Sequence, residues 1–160
     1  MRLNKLGDRI SVVRKDFKEY RPRKKFDVIF SNPPYIKKKT GFLSASAEKS
    51  VAKHEIKCDI LDVMRKTGEL LEKMGRAYFI YPAQRQDDMA KAADESGLSL
   101  RALRFILPRS GDPANLFLAE YGFGAGSPRT LRPLILYDER GAYTPEVRKI
   151  FEGRRRGPAA

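Results

Sequence analysis

The stretch Phe26-Asp27-Val28-Ile29-Phe30-Ser31-Asn32-Pro33-Pro34-Tyr35 decides how this 160-residue chain folds. Its first six residues are rich in β-branched and aromatic side chains, which indicates a buried strand. Proline fixes φ, lacks a backbone N–H and pushes the residue before it into an extended conformation. We therefore predict that the strand stops at Asn32 and runs into a rigid loop, in which the carbonyls of Asn32 and Pro33 point outward.

The loop Asn32–Tyr35 carries groups that suit a flat ligand with an amino group, such as a nucleobase. Asn32 offers a carboxamide oxygen, and the fixed carbonyl of Pro33 adds a second acceptor beside it. Tyr35 supplies an aromatic plane next to the two acceptors. The alternative is a strand-to-loop turn in which the prolines serve topology alone.

The bulk properties of the chain limit the classes of protein to which it can belong. A length of 160 residues supports one domain with a real core. No window reaches the roughly 18 apolar residues that span a bilayer, and the amino terminus lacks the apolar core of a signal peptide. Cys58 is the single cysteine and His54 the single histidine, so we expect no disulfide, no metal site and a cytoplasmic location.

The positive charge of the chain is concentrated near the loop Asn32–Tyr35. The net charge is +13, and residues 1–39 contain 13 basic and 4 acidic residues, which places +9 of it in the first quarter. Because phosphate neutralisation supplies most non-specific nucleic-acid affinity, this pattern favours a polyanionic partner such as RNA over a membrane. A solvated basic face that only aids solubility is the alternative.

Alternating apolar segments predict an α/β sheet that is mostly parallel, with an antiparallel C-terminal strand pair. We predict strands at Arg9–Arg14, Phe26–Ser31, Arg76–Pro82, Leu98–Leu107, Asn115–Gly122 and Leu131–Tyr137. We predict helices at about Lys57–Met74, ended by Gly75, at Gln84–Ser96, stopped by Gly97, and after an N-cap at Thr144. Since ligands of such sheets bind at the carboxyl ends of strands, Asp16 and Asn32 are predicted to share one site.

The segment Phe26–Tyr35 resembles motif IV of the amino-group methyltransferases that use S-adenosylmethionine. These enzymes act on adenine or cytosine of nucleic acids, on guanine of ribosomal RNA or on a protein glutamine. Over nearly its whole length the chain is similar to the second half of the tRNA1(Val) adenine-N6 methyltransferase family. The segments that carry this similarity are Leu6–Ile10, Ala52–Glu55, Tyr81–Arg85 and Gly141–Glu146.

The resemblance implies a partial Rossmann-like class I methyltransferase sheet that lacks its first two strands. In the family's strand order, 3-2-1-4-5-7-6, strands 1 and 2 would lie between the strand before Asp16 and the strand Phe26–Ser31. We therefore expect an exposed edge on Phe26–Ser31 and poor cofactor binding by this chain alone. A truncation, a misplaced start codon or a partner chain would each explain the departure. Residues 1–152 would form the C-terminal portion of the methyltransferase domain, and residues 153–160 a basic, disordered tail.

The resemblance also assigns roles to individual residues. Asn32 and Pro33 would accept from the amino group of adenine, Pro34 belongs to the same catalytic motif, and Tyr35 would stack on the base. For the cofactor S-adenosylmethionine, Asp16 would accept from the adenine amino group, with Phe17 packed nearby. Apart from the resemblance, we expect Lys37, Lys38, Lys39, His54 and Arg85 to contact substrate RNA. The alternatives are a solvated lysine run, a surface histidine and an Arg85 that caps the preceding strand.

The function that these expectations favour is adenine methylation in tRNA, by an enzyme that needs no metal. Methylation of a protein glutamine or of DNA adenine stays open, because the same loop serves those substrates. A non-catalytic RNA-binding remnant, which keeps the basic face without cofactor chemistry, is a further alternative.

Overall fold

The computed structural model describes residues 9–35 and 58–153. Within them, six strands form one mixed sheet, and three α-helices accompany it. The strands are β1 (Phe26–Ser31), β2 (Leu71–Pro82), β3 (Ser99–Leu107), β4 (Leu116–Gly122), β5 (Arg129–Thr130) and β6 (Leu134–Ile135). The α-helices are α1 (Ile60–Leu70), α2 (Gln86–Asp94) and α3 (Pro145–Glu152).

The sheet has the strand order β1-β2-β4-β3-β5, with β6 also paired to β3. β1 runs parallel to β2, and both β5 and β6 run parallel to β3. β4 lies between β2 and β3 and is antiparallel to both. The mostly parallel sheet with an antiparallel C-terminal pair is thus confirmed, and β1-β2-β4-β3 reproduces the 4-5-7-6 part of the order that the resemblance implies.

One face of the sheet is covered by α1 and α2 and holds the main core. A capping box between Asp59 and Asp62 starts α1, which places Met64 against the sheet. Alternate residues of the strands, such as Phe79 and Phe117, point into this core and are almost fully buried. This core fixes the positions of β1 and β2, and hence the edge of the sheet at which both strands end.

The opposite face of the sheet is open over β1, β2 and β4 in the described part of the chain. Phe30 is 78% exposed although its ring stacks on Tyr78, with centroids 5.2 Å apart. Val28, Leu118 and Leu131 are also exposed. The strand predicted at Phe26–Ser31 is present, but the prediction that it is buried is wrong, since none of its residues is buried. An open, largely apolar cavity of about 670 Å³ lies on this face. Among the described residues β1 pairs only with β2, so the exposed edge that we expected on β1 is present.

The strand predicted at Arg9–Arg14 is wrong, since residues 9–16 form no strand. Ile10, Val12 and Val13 are exposed instead of lying in a sheet. An extended segment becomes a strand only by pairing its N–H and C=O groups with a neighbour. In the described residues β1 is the edge strand, and no strand lies between it and this segment.

The helix predicted at Lys57–Met74 ends earlier than expected. α1 stops at Leu70, and β2 begins at Leu71 without an intervening loop. The pairing of β1 with β2 shifts register between Phe26 and Val28, so the start of β2 bulges outward. Met74 lies in this bulge and is 83% exposed, and therefore does not belong to the helical core that its spacing suggested. Gly75 does not end the helix, because it lies within β2.

The elements after β2 agree better with the boundaries predicted from the sequence. Gly97 follows α2 with φ 68°, a conformation that suits glycine at the end of a helix. The Thr144 side chain accepts from the Val147 N–H and caps α3, as predicted. The strand predicted at Leu131–Tyr137 is replaced by β5 and β6, because Pro133 lacks the N–H that a continuous ladder needs. No helix in residues 9–35 or 58–153 is both long and apolar enough to cross a bilayer.

Candidate active site

The loop Asn32–Tyr35 lies where β1 ends, as the sequence predicted. β1 stops at Ser31, and the next four residues form neither helix nor strand. Because β1 and β2 are parallel, the loop and the end of β2 at Pro82 lie at the same edge of the sheet. Pro33 is buried and anchors the loop, while Asn32, Pro34 and Tyr35 are exposed to a ligand.

Tyr35 is bonded to the residue that starts the loop. Its hydroxyl donates to the Asn32 Oδ1 over 2.7 Å, which brings the phenol and the carboxamide onto one exposed surface. The ring of Tyr35 also meets the ring of Tyr81 edge to face, with centroids 5.7 Å apart. Tyr81 belongs to the buried side of β2, so it connects the exposed loop to the core.

Arg85 reaches the loop from the turn between β2 and α2. Its Nη1 donates to the Tyr35 carbonyl over 2.7 Å, and its Nε donates to Asp88 Oδ2 over 2.9 Å. The guanidinium carbon lies 5.0 Å from the ring centroid of Tyr81. The structure thus brings Arg85, a residue expected to contact RNA, into contact with the predicted catalytic motif. Tyr81 and Asp88 complete the group and were not singled out from the sequence.

The hydroxyl of Tyr81 is buried and has no hydrogen-bond partner among residues 9–35 and 58–153. Burial raises the pKa of Tyr81 above its ordinary value of 10.0, and the nearby Arg85 guanidinium opposes this rise. The carboxylates of Asp88 and Asp59 raise the pKa further. Tyr81 is therefore neutral at physiological pH and acts here as an aromatic surface for Arg85 and Tyr35.

The residues expected to bind the cofactor adenine lie on an exposed segment before β1. Asp16 Oδ1 accepts from the Lys18 N–H over 2.9 Å and caps a 3-10 helix at Phe17–Glu19. Phe17 is exposed at the start of this turn. One carboxylate oxygen already serves the cap, and the second can accept from a ligand. The cofactor roles of Asp16 and Phe17 stay predictions.

Lys37, Lys38, Lys39 and His54, which we expected to contact RNA, lie outside the described residues, as does the tail from residue 154 onward.

The 670 Å³ cavity on the open face reaches the loop through Asn32 and is bordered by Phe30 and Tyr78. Its volume is within the range of about 300–1,000 Å³ that is usual for small-molecule sites. The Asn32 carboxamide lies at the rim of this cavity, and its wall is largely apolar. In the described ranges, no three His, Cys, Asp or Glu side chains converge as metal ligands would.

The sequence profile of the Eco57I restriction-modification methylase family matches residues 3–99, which is more than half of the chain. The chain belongs to this family. Similar proteins include the tRNA1(Val) (adenine(37)-N6)-methyltransferase of Actinobacillus pleuropneumoniae, 26% identical over 144 residues. That alignment covers 90% of this chain and 59% of the relative. The enzyme of the same name from Bacteroides thetaiotaomicron is 34% identical over 113 residues, which cover 69% of this chain and 46% of that protein.

The fold of this methylase-family chain is shared with a solved methyltransferase. The crystal structure of a predicted O-methyltransferase from Agrobacterium tumefaciens superposes with a TM-score of 0.65 at 22% sequence identity. The superposition covers 96% of this chain and 70% of the other. The methyltransferase fold expected from Phe26–Tyr35 is therefore confirmed, and the chain spans about half the length of the two tRNA methyltransferases above.

Proposed function

We propose that this chain forms the substrate-side part of an S-adenosylmethionine-dependent methyltransferase that acts on the exocyclic amino group of adenine in tRNA. The observation that carries the proposal is the exposed Asn32 carboxamide at the carboxyl end of β1, whose Oδ1 accepts from the hydroxyl of the exposed Tyr35. Membership of a methylase family and the names of the tRNA-modifying relatives support it.

Asn32 and Pro33 act on the amino group of the substrate. The nitrogen of this group is a poor nucleophile, because its lone pair is delocalised into the ring of the base. Hydrogen bonds from its two protons to the Asn32 Oδ1 and the Pro33 carbonyl favour a pyramidal nitrogen as it attacks. The Asn32 Oδ1 has two lone pairs. One accepts from the Tyr35 hydroxyl, and the other can accept from the amino group of the substrate.

Tyr35 provides the aromatic surface on which the target base stacks, once that base has been turned out of the stacked bases of the RNA. S-adenosylmethionine, when bound, supplies an electrophilic methyl group, so the protein's remaining task is in-line positioning. Asp16 would hold the adenine of the cofactor through its second carboxylate oxygen, and Phe17 would pack beside it. Pro34 keeps the loop rigid between the acceptors and Tyr35.

The basic charge of the chain supports RNA as the substrate. Residues 1–39 contain 13 basic and 4 acidic residues, an excess that attracts a phosphate backbone. Lys37, Lys38, Lys39 and His54 remain proposed RNA contacts on this ground. A tRNA substrate implies a cytoplasmic enzyme that binds RNA.

The test is methyl transfer by the complete gene product that contains this chain. The protein is incubated with deuterated S-adenosylmethionine and, in parallel, with unmodified tRNA, duplex DNA or a glutamine-containing protein extract. Nucleosides and peptides are then analysed by mass spectrometry. We expect labelled N6-methyladenosine from tRNA alone. Label in DNA or on glutamine would mean that DNA adenine or protein glutamine, rather than tRNA, is the substrate. RNA binding without any label would favour the non-catalytic alternative.

A further inference from the structure

Arg85 contacts three groups of different kinds at once. It donates to the backbone carbonyl of Tyr35, pairs with Asp88 and lies over the ring of Tyr81. Its side chain is 14% exposed, in contrast to the exposed basic residues of a typical RNA-binding surface. The bond to Tyr35 links residues fifty positions apart in the sequence.

We propose that Arg85 is a positioning residue that clamps the carbonyl of Tyr35 and so fixes the catalytic loop for methyl transfer. The inference rests on the function proposed above and deepens it. Tyr35 is then held at two points, its carbonyl by Arg85 and its hydroxyl by Asn32. A shift of the Tyr35 backbone would therefore move both the stacking surface and the acceptor that binds the amino group.

The surroundings of Arg85 explain why an arginine is suited to this role. Asp88 lies in the first turn of α2 and accepts from the Nε of Arg85. The ring of Tyr81 packs against the face of the guanidinium. Only a planar group with donors on several nitrogens can meet a carboxylate, a ring and a carbonyl together. Lysine keeps the charge but offers a single flexible nitrogen, so it cannot reproduce the three contacts.

The same contacts argue against Arg85 as a phosphate ligand. Its Nε serves Asp88 and its Nη1 serves Tyr35, and the neighbouring carboxylate already neutralises much of its charge. Loss of a phosphate contact would raise the KM for tRNA and make that KM less sensitive to salt. Loss of a contact that positions the loop would instead lower kcat, because it alters the geometry of the reacting groups.

The first test compares Arg85→Lys with Arg101→Lys in the complete gene product. Arg101 is the matched control, because it also holds backbone carbonyls, those of Phe123, Gly124 and Ala125, but near the amino end of β3 at the opposite edge of the sheet. We expect kcat to fall about 10- to 100-fold in Arg85→Lys. The KM for S-adenosylmethionine should stay within about twofold in both variants, and kcat should stay within about twofold in Arg101→Lys.

A double-mutant cycle asks whether Arg85 acts through Tyr35. Arg85→Lys is combined with Tyr35→Ala, which removes the ring that Arg85 is proposed to place, together with its bond to Asn32. If Arg85 works by placing Tyr35, the two losses in kcat overlap, and the double variant is less impaired than their product predicts. Losses that multiply fully, or an unchanged kcat with a salt-dependent rise in the KM for tRNA, would overturn the proposal.

A readout that needs no activity separates this inference from the proposed function. Tyrosine is replaced by 3-fluorotyrosine throughout, and Tyr35→Phe assigns the ¹⁹F resonance of Tyr35. We expect Arg85→Lys and the milder Asp88→Asn to shift or broaden this resonance, and Arg101→Lys to leave it unchanged. If the Tyr35 resonance were unaltered in both Arg85→Lys and Asp88→Asn, the proposal that Arg85 positions Tyr35 would be contradicted. This conclusion holds even if no substrate is methylated. If methylation fails but the signal moves, only the proposed function fails.

Discussion

The loop Asn32–Tyr35 and the segment Asp16–Tyr20 were predicted to share one site, but they are held in different ways. The strand Arg9–Arg14, which would have placed Asp16 at the carboxyl edge of the sheet, is absent from the structure. The loop is tied to the core through Arg85 and Tyr81, contacts that span much of the sequence. The segment is ordered by a cap from Asp16 to the Lys18 N–H, by bonds of Arg21 to nearby carbonyls, and by an exposed ion pair of Arg21 with Glu69 at the end of α1. The substrate-side geometry is thus built into the sheet, whereas the cofactor-side residues are held by local bonds and one surface ion pair.

Hydrogen exchange on the 160-residue chain should show how differently the sheet and residues 10–15, which precede Asp16, are held. Residues 10–15 have no backbone hydrogen bond to other described residues, whereas β2 is paired on both sides. We expect amides of 10–15 to exchange at nearly the free rate and central β2 amides about 10³-fold or more slowly. Comparable protection in the two regions would show that residues 10–15 are held as firmly as the sheet.

Tyr35→Ala should give the next largest effect. The change removes the stacking surface, the bond to Asn32 and the contact with Tyr81. Because stacking on one aromatic is worth about 1–3 kcal/mol, we expect kcat/KM for tRNA to fall roughly 100-fold. Steady-state kinetics and calorimetry with S-adenosylhomocysteine would check this, with unchanged cofactor affinity as the control. A matching loss of cofactor affinity would mean that Tyr35 belongs to the cofactor side.

Asp16→Ala should affect the cofactor alone. Removing one carboxylate acceptor is worth about 1.5 kcal/mol, so the Kd of S-adenosylhomocysteine should rise about tenfold with kcat nearly unchanged. Asp16→Asn is the matched variant, since it keeps an oxygen for the Lys18 N–H. If Asp16→Ala and Asp16→Asn weaken cofactor binding equally, the charge of Asp16 matters more to cofactor affinity than its cap of the Lys18 N–H. If neither variant alters the Kd, Asp16 is only a turn former.

Tyr35→Phe should give the smallest effect, because the ring and its contact with Tyr81 remain. The loss is one hydrogen bond to Asn32, worth about 1 kcal/mol, so we expect kcat to fall about fivefold. The thermal midpoint should change little, since the lost bond is on the surface. A loss as large as that of Tyr35→Ala would show that the hydroxyl, rather than the ring, matters to the substrate.

The sequence predicted the parts of the molecule that depend on local chemistry. Two prolines after an apolar run placed the end of β1, and Thr144 placed the start of α3. It could not predict the state of Arg9–Arg14, because strand formation depends on a neighbour rather than on the segment itself. Met74 was misplaced for a related reason, since helical spacing continued across the junction of α1 and β2.

In the candidate site, too, the sequence predicted what depends on local residues and missed what depends on distant contacts. The loop residues Asn32 and Tyr35 were identified from the motif, but the contact between Tyr35 and Arg85 joins distant positions that no local pattern links. The spacing of Arg85 and Asp88 by three residues, in the first turn of a helix, was the available signal for their ion pair. Tyr81 begins the segment Tyr81–Arg85 that carried the resemblance, but a tyrosine on a predicted strand indicates a core residue and gave it no role in the site.

The most direct test of the account is the effect of Asn32→Ala on turnover and on cofactor affinity, measured in the complete gene product. The Asn32 bond to the amino group strengthens as the nitrogen attacks, so kcat should fall about 10²- to 10³-fold. The Kd of S-adenosylhomocysteine should stay within about threefold. An equal loss of turnover and cofactor affinity, or no loss of turnover, would contradict the role of Asn32 as the acceptor of the substrate amino group.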